Sequence, residues 1–266
     1  GQSRGNFSFV QISDTHIGFN KEANPDVPGT LKKTIELVNA MPEKPALVLH
    51  TGDITHLSKP EEFDVAAQLL SGLKVTELHT TPGEHDVTDA GGATYMARFG
   101  KPSNNLGYYS YDSSGVHFIA LVNVLNFKPG GLGGLGDDQI AWLANDLKGR
   151  SASQPVVVFG FTYMVWRHLR GELGDAGLDL SRATVVHSGG WKQMEAERVG
   201  NDAFKAALRA AFGVPRVVNY YGMAEQVGSV FVEGDDGRRH PSTFADVLVR
   251  DPRTCAVLPP GEPSRP

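Results

Sequence analysis

The sequence predicts an α/β protein, and three observations carry that reading. Short apolar runs rich in β-branched residues alternate with longer segments whose apolar residues recur at helical spacing, as at Leu31, Ile35 and Val38. Several short runs stop at acidic residues and histidines, as expected of open sheets that gather ligands beyond the carboxyl ends of their strands. The composition, 40% hydrophobic and 21% charged over 266 residues, is that of a globular chain. It excludes disorder throughout and leaves room for one large domain or two small ones.

Phe7 to Ile12 reads as the first strand, ending at Ser13 and Asp14. Thr30 to Met41 is the first helix. Ala46 to His50 is a second strand, closed by Thr51, Gly52 and Asp53. Ser58 and Glu61 stand at capping-box spacing and open a helix with Phe63, Ala67 and Leu70 on one face. Val75 to Thr80 is a third strand, running into Pro82, Gly83, Glu84, His85 and Asp86. Gly107 to Tyr111 and Val116 to Val122 read as an antiparallel pair around residues 112–115. Asp138 to Lys148 is a helix with Ile140, Leu143 and Leu147 inward, and Val156 to Phe159 reads as a buried strand. Beyond Gly160 the texture changes. Thr162 to Leu173 is rich in aromatics and arginine. Ala183 to His187 and Arg216 to Asn219 read as strands around a helix, Asn201 to Phe212. Ser229 to Glu233 and Phe244 to Val249 are expected strands, and Pro259 to Pro266 an expected frayed tail.

Composition narrows the function. The net charge of -5 gives no basic footprint for nucleic acid. No apolar run approaches the ~20 residues of a membrane span. The opening stretch, Gly1 to Phe9, lacks the apolar core of a secretion signal, so either none existed or it was removed, and a soluble chain is expected. One cysteine, Cys255, excludes an internal disulfide framework and a cysteine-based zinc cluster.

Three predicted strand ends carry chemistry: Asp14 with His16, Gly52 with Asp53, and Gly83 with Glu84, His85 and Asp86. In an extended segment residues i and i+2 share a side, so Asp14 and His16 are expected to grip one ion together. Asp53, one strand over, has two oxygens with which to bridge two metals. Three crowded carboxylates call for a cation, and mixed oxygen and nitrogen ligands suit Mn, Fe, Zn or Ni.

With these motifs in this order, the chain resembles the calcineurin-like metallophosphoesterases over about residues 6–160. The family pattern is D-x-H, then G-D, then G-N-H-D/E, then two later histidine blocks. The resemblance implies a two-metal site for small phosphate mono- or diesters. Asp14, His16 and Asp53 would hold the first metal, and Asp53 with Glu84 the second. His85 would stabilise the transferring phosphoryl group or protonate the leaving oxygen, with Asp86 orienting it. Two departures stand out. Glu84 replaces the usual Asn, and the strand ending at Gly160 leads into Phe161 where the family has a ligand histidine. No G-H-x-H follows. An incomplete metal site and impaired activity are therefore expected.

A second resemblance begins near Gly160. Residues 160–166, His187 to Lys192, Asn219 to Gly228 and Phe244 to Asp251 are similar to the acyl-protein synthetases of the adenylate-forming superfamily. It implies nucleotide and acyl contacts at Gly189, Gly190, Tyr221 and Gly222, with Glu225 near Mg²⁺. A fragment is expected, because the upstream phosphate loop and the downstream Asp and Lys are missing. The chain thus reads as a chimera: a partial metallophosphoesterase sandwich over 1–159, then a partial adenylation segment over 160–266. It is a phosphoesterase by resemblance, with an acyl-adenylate-forming fragment or an inactive hybrid as alternatives.

Other candidates read more plainly. Gly131 to Gly136 fits G-x-G-x-x-G but lacks a leading strand and is expected to be a loop. Cys255 is expected to be a bystander and His117 a packed residue. His50 and His79 are candidates to support the motif loops, and His56 to contact substrate. Arg238 and Arg239 read as a solvated turn. Trp166, Trp191, Tyr220 and Tyr221 read as core aromatics.

Overall fold

A computed structural model describes residues 7–125, 133–150, 154–222, 230–241 and 248–259, apart from the side chains of 192–194. The first unit is a three-stranded parallel sheet in the order β1-β2-β3: Phe9–Ile12, Leu47–His50 and Glu77–Thr80. The central strand is covered on both faces, so it reads as a continuous apolar run. Helix α1, Val27–Asn39, turns Val27, Leu31, Ile35 and Val38 inward, and Asp26 caps it by accepting from Gly29 N at 2.9 Å. Helix α2, Pro60–Leu70, buries Phe63, Ala66 and Leu70. These residues, Val38 apart, form one core with Ile17, Ile54 and Tyr95 of α3 (Ala93–Phe99). The other face of the sheet meets the antiparallel hairpin β4 (Tyr109–Ser113) and β5 (Val116–Ala120). There His79 stacks on Tyr111 with ring centroids 3.4 Å apart, and Phe9 meets Phe118 edge-on.

The second unit is a five-stranded sheet in the order β10-β9-β8-β7-β6. Strands β6 (Val156–Phe161), β7 (Ala183–Ser188) and β8 (Arg216–Gly222) are parallel. Strand β9 (Val230–Glu233) runs against β8, and β10 (Arg239–His240) against β9. Between β6 and β7, α5 (Thr162–Met164) passes into a π-helical stretch, Val165–Glu172. Helix α6, Asn201–Phe212, sets Phe204, Leu208 and Phe212 into the second core, and Gly213 closes it in the left-handed region. The core also takes Leu143 and Leu147 from α4 (Asp137–Gly149).

Several expectations change. The residue capping α2 is Lys59 rather than Ser58, and the carboxylate that reaches back is Glu62 rather than Glu61. Glu62 accepts from Leu57 N at 2.8 Å and Lys59 N at 3.4 Å, while Ser58 turns left-handed and donates to His85 O. Ala66, not Ala67, is the buried alanine. Strand β6 is buried on one face only: Val157, Phe159 and Phe161 are 57%, 56% and 51% exposed. An unbroken apolar run has no period to reveal an open face. The expected strand 244–249 falls largely outside the described residues, as do Gly131 and Glu225. Of its described part, Val249 O accepts from Leu258 N and Arg250 bridges Val257.

Candidate metal centre

The loops after β1, β2 and β3 converge at the carboxyl end of the first sheet. Beyond Ile12 the chain does not stay extended. Asp14 and His16 have φ of 56° and 42°, and Asp53 has 52°. The strand-period argument for pairing Asp14 with His16 therefore fails. Loop-to-loop hydrogen bonds place them instead: Asp14 N to Gly52 O at 3.0 Å, His16 N to Asp53 O at 2.9 Å, Ile17 N to Ile54 O at 2.9 Å and His56 N to Ile17 O at 2.9 Å. Left-handed non-glycine residues carry backbone strain, and three at one point mark a place where the surrounding structure fixes the side chains.

Asp14, His16 and Asp53 each present a ligand atom within 4.8 Å of the others. His16 Nε2 is 3.9 Å from Asp14 Oδ1 and 3.8 Å from Asp53 Oδ2. Glu84, expected in the same cluster, is exposed and belongs to no ligand group among the described residues. Its charge instead reaches Tyr163, whose hydroxyl is held above its usual range mainly by burial and then by Glu84.

Asp86 was expected to orient His85. Its carboxylate instead accepts from Ile54 N, Thr55 N, Thr55 Oγ1 and Gly83 N at 2.8–3.0 Å, stitching the β2 and β3 loops together. Burial pushes its pKa up against those hydrogen bonds. The His85 ring is oriented by the carbonyl of His56, 2.7 Å from Nδ1, while His85 N donates to Asp53 Oδ1 at 3.0 Å. A carbonyl only accepts, so Nδ1 carries the proton and Nε2 the lone pair.

His50 is fully buried beneath the loops. Its Nε2 meets Thr15 Oγ1 at 3.0 Å, Thr15 Oγ1 donates to Ile54 O at 3.0 Å, and Gly52 N approaches Nδ1 at 3.4 Å. Burial lowers its pKa to about 4, so it stays neutral as a prop. His79 lies away from the centre, between Glu77 and Tyr111.

Phe161, in the place of the family's ligand histidine, ends β6 half-exposed and stacked over Tyr163. The remaining downstream histidines are engaged elsewhere: His168 with Glu172, His187 with Thr162 and beneath Phe204, His240 with Asp236. Gly189 and Gly190 follow β7, and Tyr221 and Gly222 end the parallel strand β8. Tyr221 is 46% exposed and faces Phe231 and Arg239.

Asp14 and His16 from the β1 loop and Asp53 from the β2 loop fit a divalent cation. Two carboxylates and an imidazole supply mixed hard and borderline donors, with His16 Nε2 facing both carboxylates.

Two family models match the chain: calcineurin-like phosphoesterase over residues 7–199 and the acyl-protein synthetase LuxE over 138–265. A probable glycerophosphodiester phosphodiesterase GpdQ of Arcobacter nitrofigilis is 28% identical over 144 residues, 52% of this chain and 50% of that protein. The glycerophosphodiester phosphodiesterase GpdQ of Enterobacter lignolyticus is 28% identical over 179 residues, 64% of this chain and 59% of that protein. The chain thus spans between half and three fifths of the length of these curated relatives. A solved structure of purple acid phosphatase PPD1 from yellow lupin (Lupinus luteus) seeds is similar over 69% of this chain and 38% of that one. Its TM-score is 0.46 and its identity 15%. No helix among the described residues is long and apolar enough to cross a membrane. With the first model spanning well over half of its residues and the three motif loops meeting at one point, the chain belongs to the calcineurin-like phosphoesterase family.

Proposed function

We propose that the chain is a metal-dependent phosphodiesterase of reduced competence, acting on small phosphodiesters. The observation that carries the reading is the meeting of Asp14, His16 and Asp53 within 4.8 Å on strained loops at the ends of parallel strands. The glycerophosphodiester activity in the names of the two curated relatives supports the substrate class. Asp14, His16 and Asp53 would hold the ion, one of Mn, Fe, Zn or Ni. Such an ion supplies Lewis-acid polarisation and an activated water when bound. His85, its Nδ1 proton tied to a carbonyl, presents a bare Nε2. It takes up a proton before it donates to a phosphoryl or leaving oxygen. Asp86 acts by holding the two loops together rather than by touching substrate.

Reduced competence follows from Phe161, which has no donor atom, and from His168, His187 and His240 being bonded to Glu172, Thr162 and Asp236. Hydrolysis of bis(4-nitrophenyl) phosphate with Mn²⁺ is expected to stay below ~1 s⁻¹, the low end of ordinary enzymes. Asp53→Asn is expected to remove what remains. Turnover above that level, or residual activity indifferent to Asp53→Asn, overturns the reading.

The match over 138–265 favours a second reading, an acyl-adenylate-forming fragment. Gly189, Gly190, Tyr221 and Gly222 stand at the carboxyl ends of two parallel strands, where α/β sheets take ligands. The glycine-rich stretch upstream of these strands, Gly131 to Gly136, has no leading strand in the sequence to make it a phosphate loop. No ATP–pyrophosphate exchange with a fatty acid is expected. Micromolar ATP affinity that depends on Glu225 would restore this reading.

A further inference from the structure

We propose that His16, His56 and His85 form a three-imidazole site for a borderline transition-metal ion such as Zn²⁺, distinct in its donor set from the carboxylate group that shares His16. Each loop contributes one ring: His16 after β1, His56 after β2 and His85 after β3. One nitrogen from each lies within 4.8 Å of the other two. The ring centroids are 4.7 Å apart for His16 and His85, 5.3 Å for His56 and His85, and 5.7 Å for His16 and His56.

Three features point to a ligand rather than to packing. First, His16 Nδ1 and His56 Nδ1 are each buried without a hydrogen-bond partner, which native structures seldom leave. Second, the carbonyl of His56 takes the Nδ1 proton of His85 at 2.7 Å. That backbone contact leaves Nε2 with its lone pair free and fixes the ring, which is how metal-binding histidines are commonly oriented. Third, the surroundings favour a cation. The site adjoins Asp14 and Asp53, and the Phe19 ring packs edge-on to His56 at 5.3 Å.

The donor chemistry sets the ion. Three neutral imidazoles with no oxygen ligand suit Zn²⁺, Cu²⁺, Ni²⁺ or Co²⁺ and discriminate against Mg²⁺, Ca²⁺ and Mn²⁺. The two groups then compete for His16. Hard ions draw it toward Asp14 and Asp53, and borderline ions toward His56 and His85. An ion in the imidazole group also occupies the Nε2 with which His85 would meet a phosphoryl oxygen. Zn²⁺ in excess is therefore expected to oppose the Mn²⁺-supported reaction.

The site does not depend on the chain being a working hydrolase, and its test needs no substrate. The untagged, metal-stripped full chain is titrated with Co²⁺ and followed by its visible absorption, with Zn²⁺ as competitor. Wild type is expected to bind one Co²⁺ with a nitrogen-rich, low-coordinate spectrum that Zn²⁺ displaces. His56→Ala and His56→Asn are each expected to weaken Co²⁺ binding at least tenfold, and Asp14→Asn less than threefold. Circular dichroism and melting of the metal-free variants confirm folding, since the backbone contacts of His56 do not need its ring. Unchanged Co²⁺ affinity in both folded His56 variants overturns the proposal. So does a loss in Asp14→Asn as large as in His56→Ala, which assigns the ion to the carboxylate group. Absence of Mn²⁺-dependent hydrolysis leaves the Co²⁺ result standing and counts only against the proposed activity.

Discussion

Gly83 lies against the backbone of Asp53. A β-carbon built on it would stand 2.4 Å from Asp53 N and 2.2 Å from Asp53 Oδ1, and one on Gly52 would stand 2.6 Å from Gly83 N. Gly52 also has φ of +110°, where L side chains are strained. These two glycines let the β2 and β3 loops touch, and that contact aims Asp53. Gly83→Ala is expected to cost ~1–3 kcal/mol, the usual range for forcing atoms into a packed site. It is also expected to weaken Mn²⁺ binding at least tenfold. Chemical denaturation and calorimetric metal titration measure the two effects, and wild-type values for both would show that the loops can part freely. At this scale the motif residues were legible, because Asp, His and Gly-Asp at strand ends are unusual residue types for those places. The left-handed backbones of Asp14, His16 and Asp53 were not, since no pattern of residue types announces them. The placement of His56 beside His85 was equally hidden. It depends on the β2 loop folding back to bond Ile17 O, a contact 39 residues removed in sequence.

The hairpin β4–β5 is clamped onto α4 by a polar network. His117 sits between Asp146, 2.7 Å from Nε2, and Asp112, 3.0 Å from Nδ1, and Ser110 donates to Asp146 at 2.5 Å. Burial pulls the His117 pKa down, but the hydrogen bonds and charges of the two carboxylates outweigh it and the pKa is raised. A raised folded pKa favours the protonated fold. The stabilisation is complete below the unfolded value of about 6.5 and is lost as pH rises through the folded value. Wild type is expected to exceed His117→Gln in melting temperature at pH 5.5, with the gap narrowing by pH 8.5. A constant or widening gap refutes the assignment. Helix α6 was legible to the residue, because Phe204, Leu208 and Phe212 recur at a helical period. The hairpin was expected around residues 112–115, but its turn is tighter: Asp112 and Ser113 pair within the ladder, and Ser114 and Gly115 take positive φ. The sheet that β6 joins was not. Residues 156–161 offer six positions without a period, and their partner strand, Ala183–Ser188, lies more than twenty residues on.

The described residues hold two apolar cores, and α4 lies in the second. Ile17, Leu31, Ile54, Phe63 and Tyr95 form one core; Leu143, Leu147, Val156, Leu169, Val185, Phe204 and Leu208 form the other. Helix α4 and the first residues of β6, expected in the phosphoesterase half, pack with residues that the LuxE model matches. The overlap of the two family matches across residues 138–199 agrees with this shared stretch. We propose that the boundary of independent packing lies before α4. Between the units run the bonds of Gln139 to Val122 and of His117 and Ser110 to Asp146, with Tyr108 packed on Trp142. This junction of polar bonds and a few apolar contacts, with Ile119 of β5 packed against the second core, couples the units less than one continuous apolar core would, so calorimetry is expected to resolve two transitions. Phe63→Ala and Leu143→Ala each open a cavity in a separate core and are each expected to cost ~2–5 kcal/mol. Phe63→Ala should lower one transition and Leu143→Ala the other. If Leu143→Ala instead lowers the transition that Phe63→Ala lowers, α4 belongs to the first unit and the boundary returns to Gly160. If both lower a single sharp transition, the chain unfolds as one cooperative body and its junction is as strong as its cores.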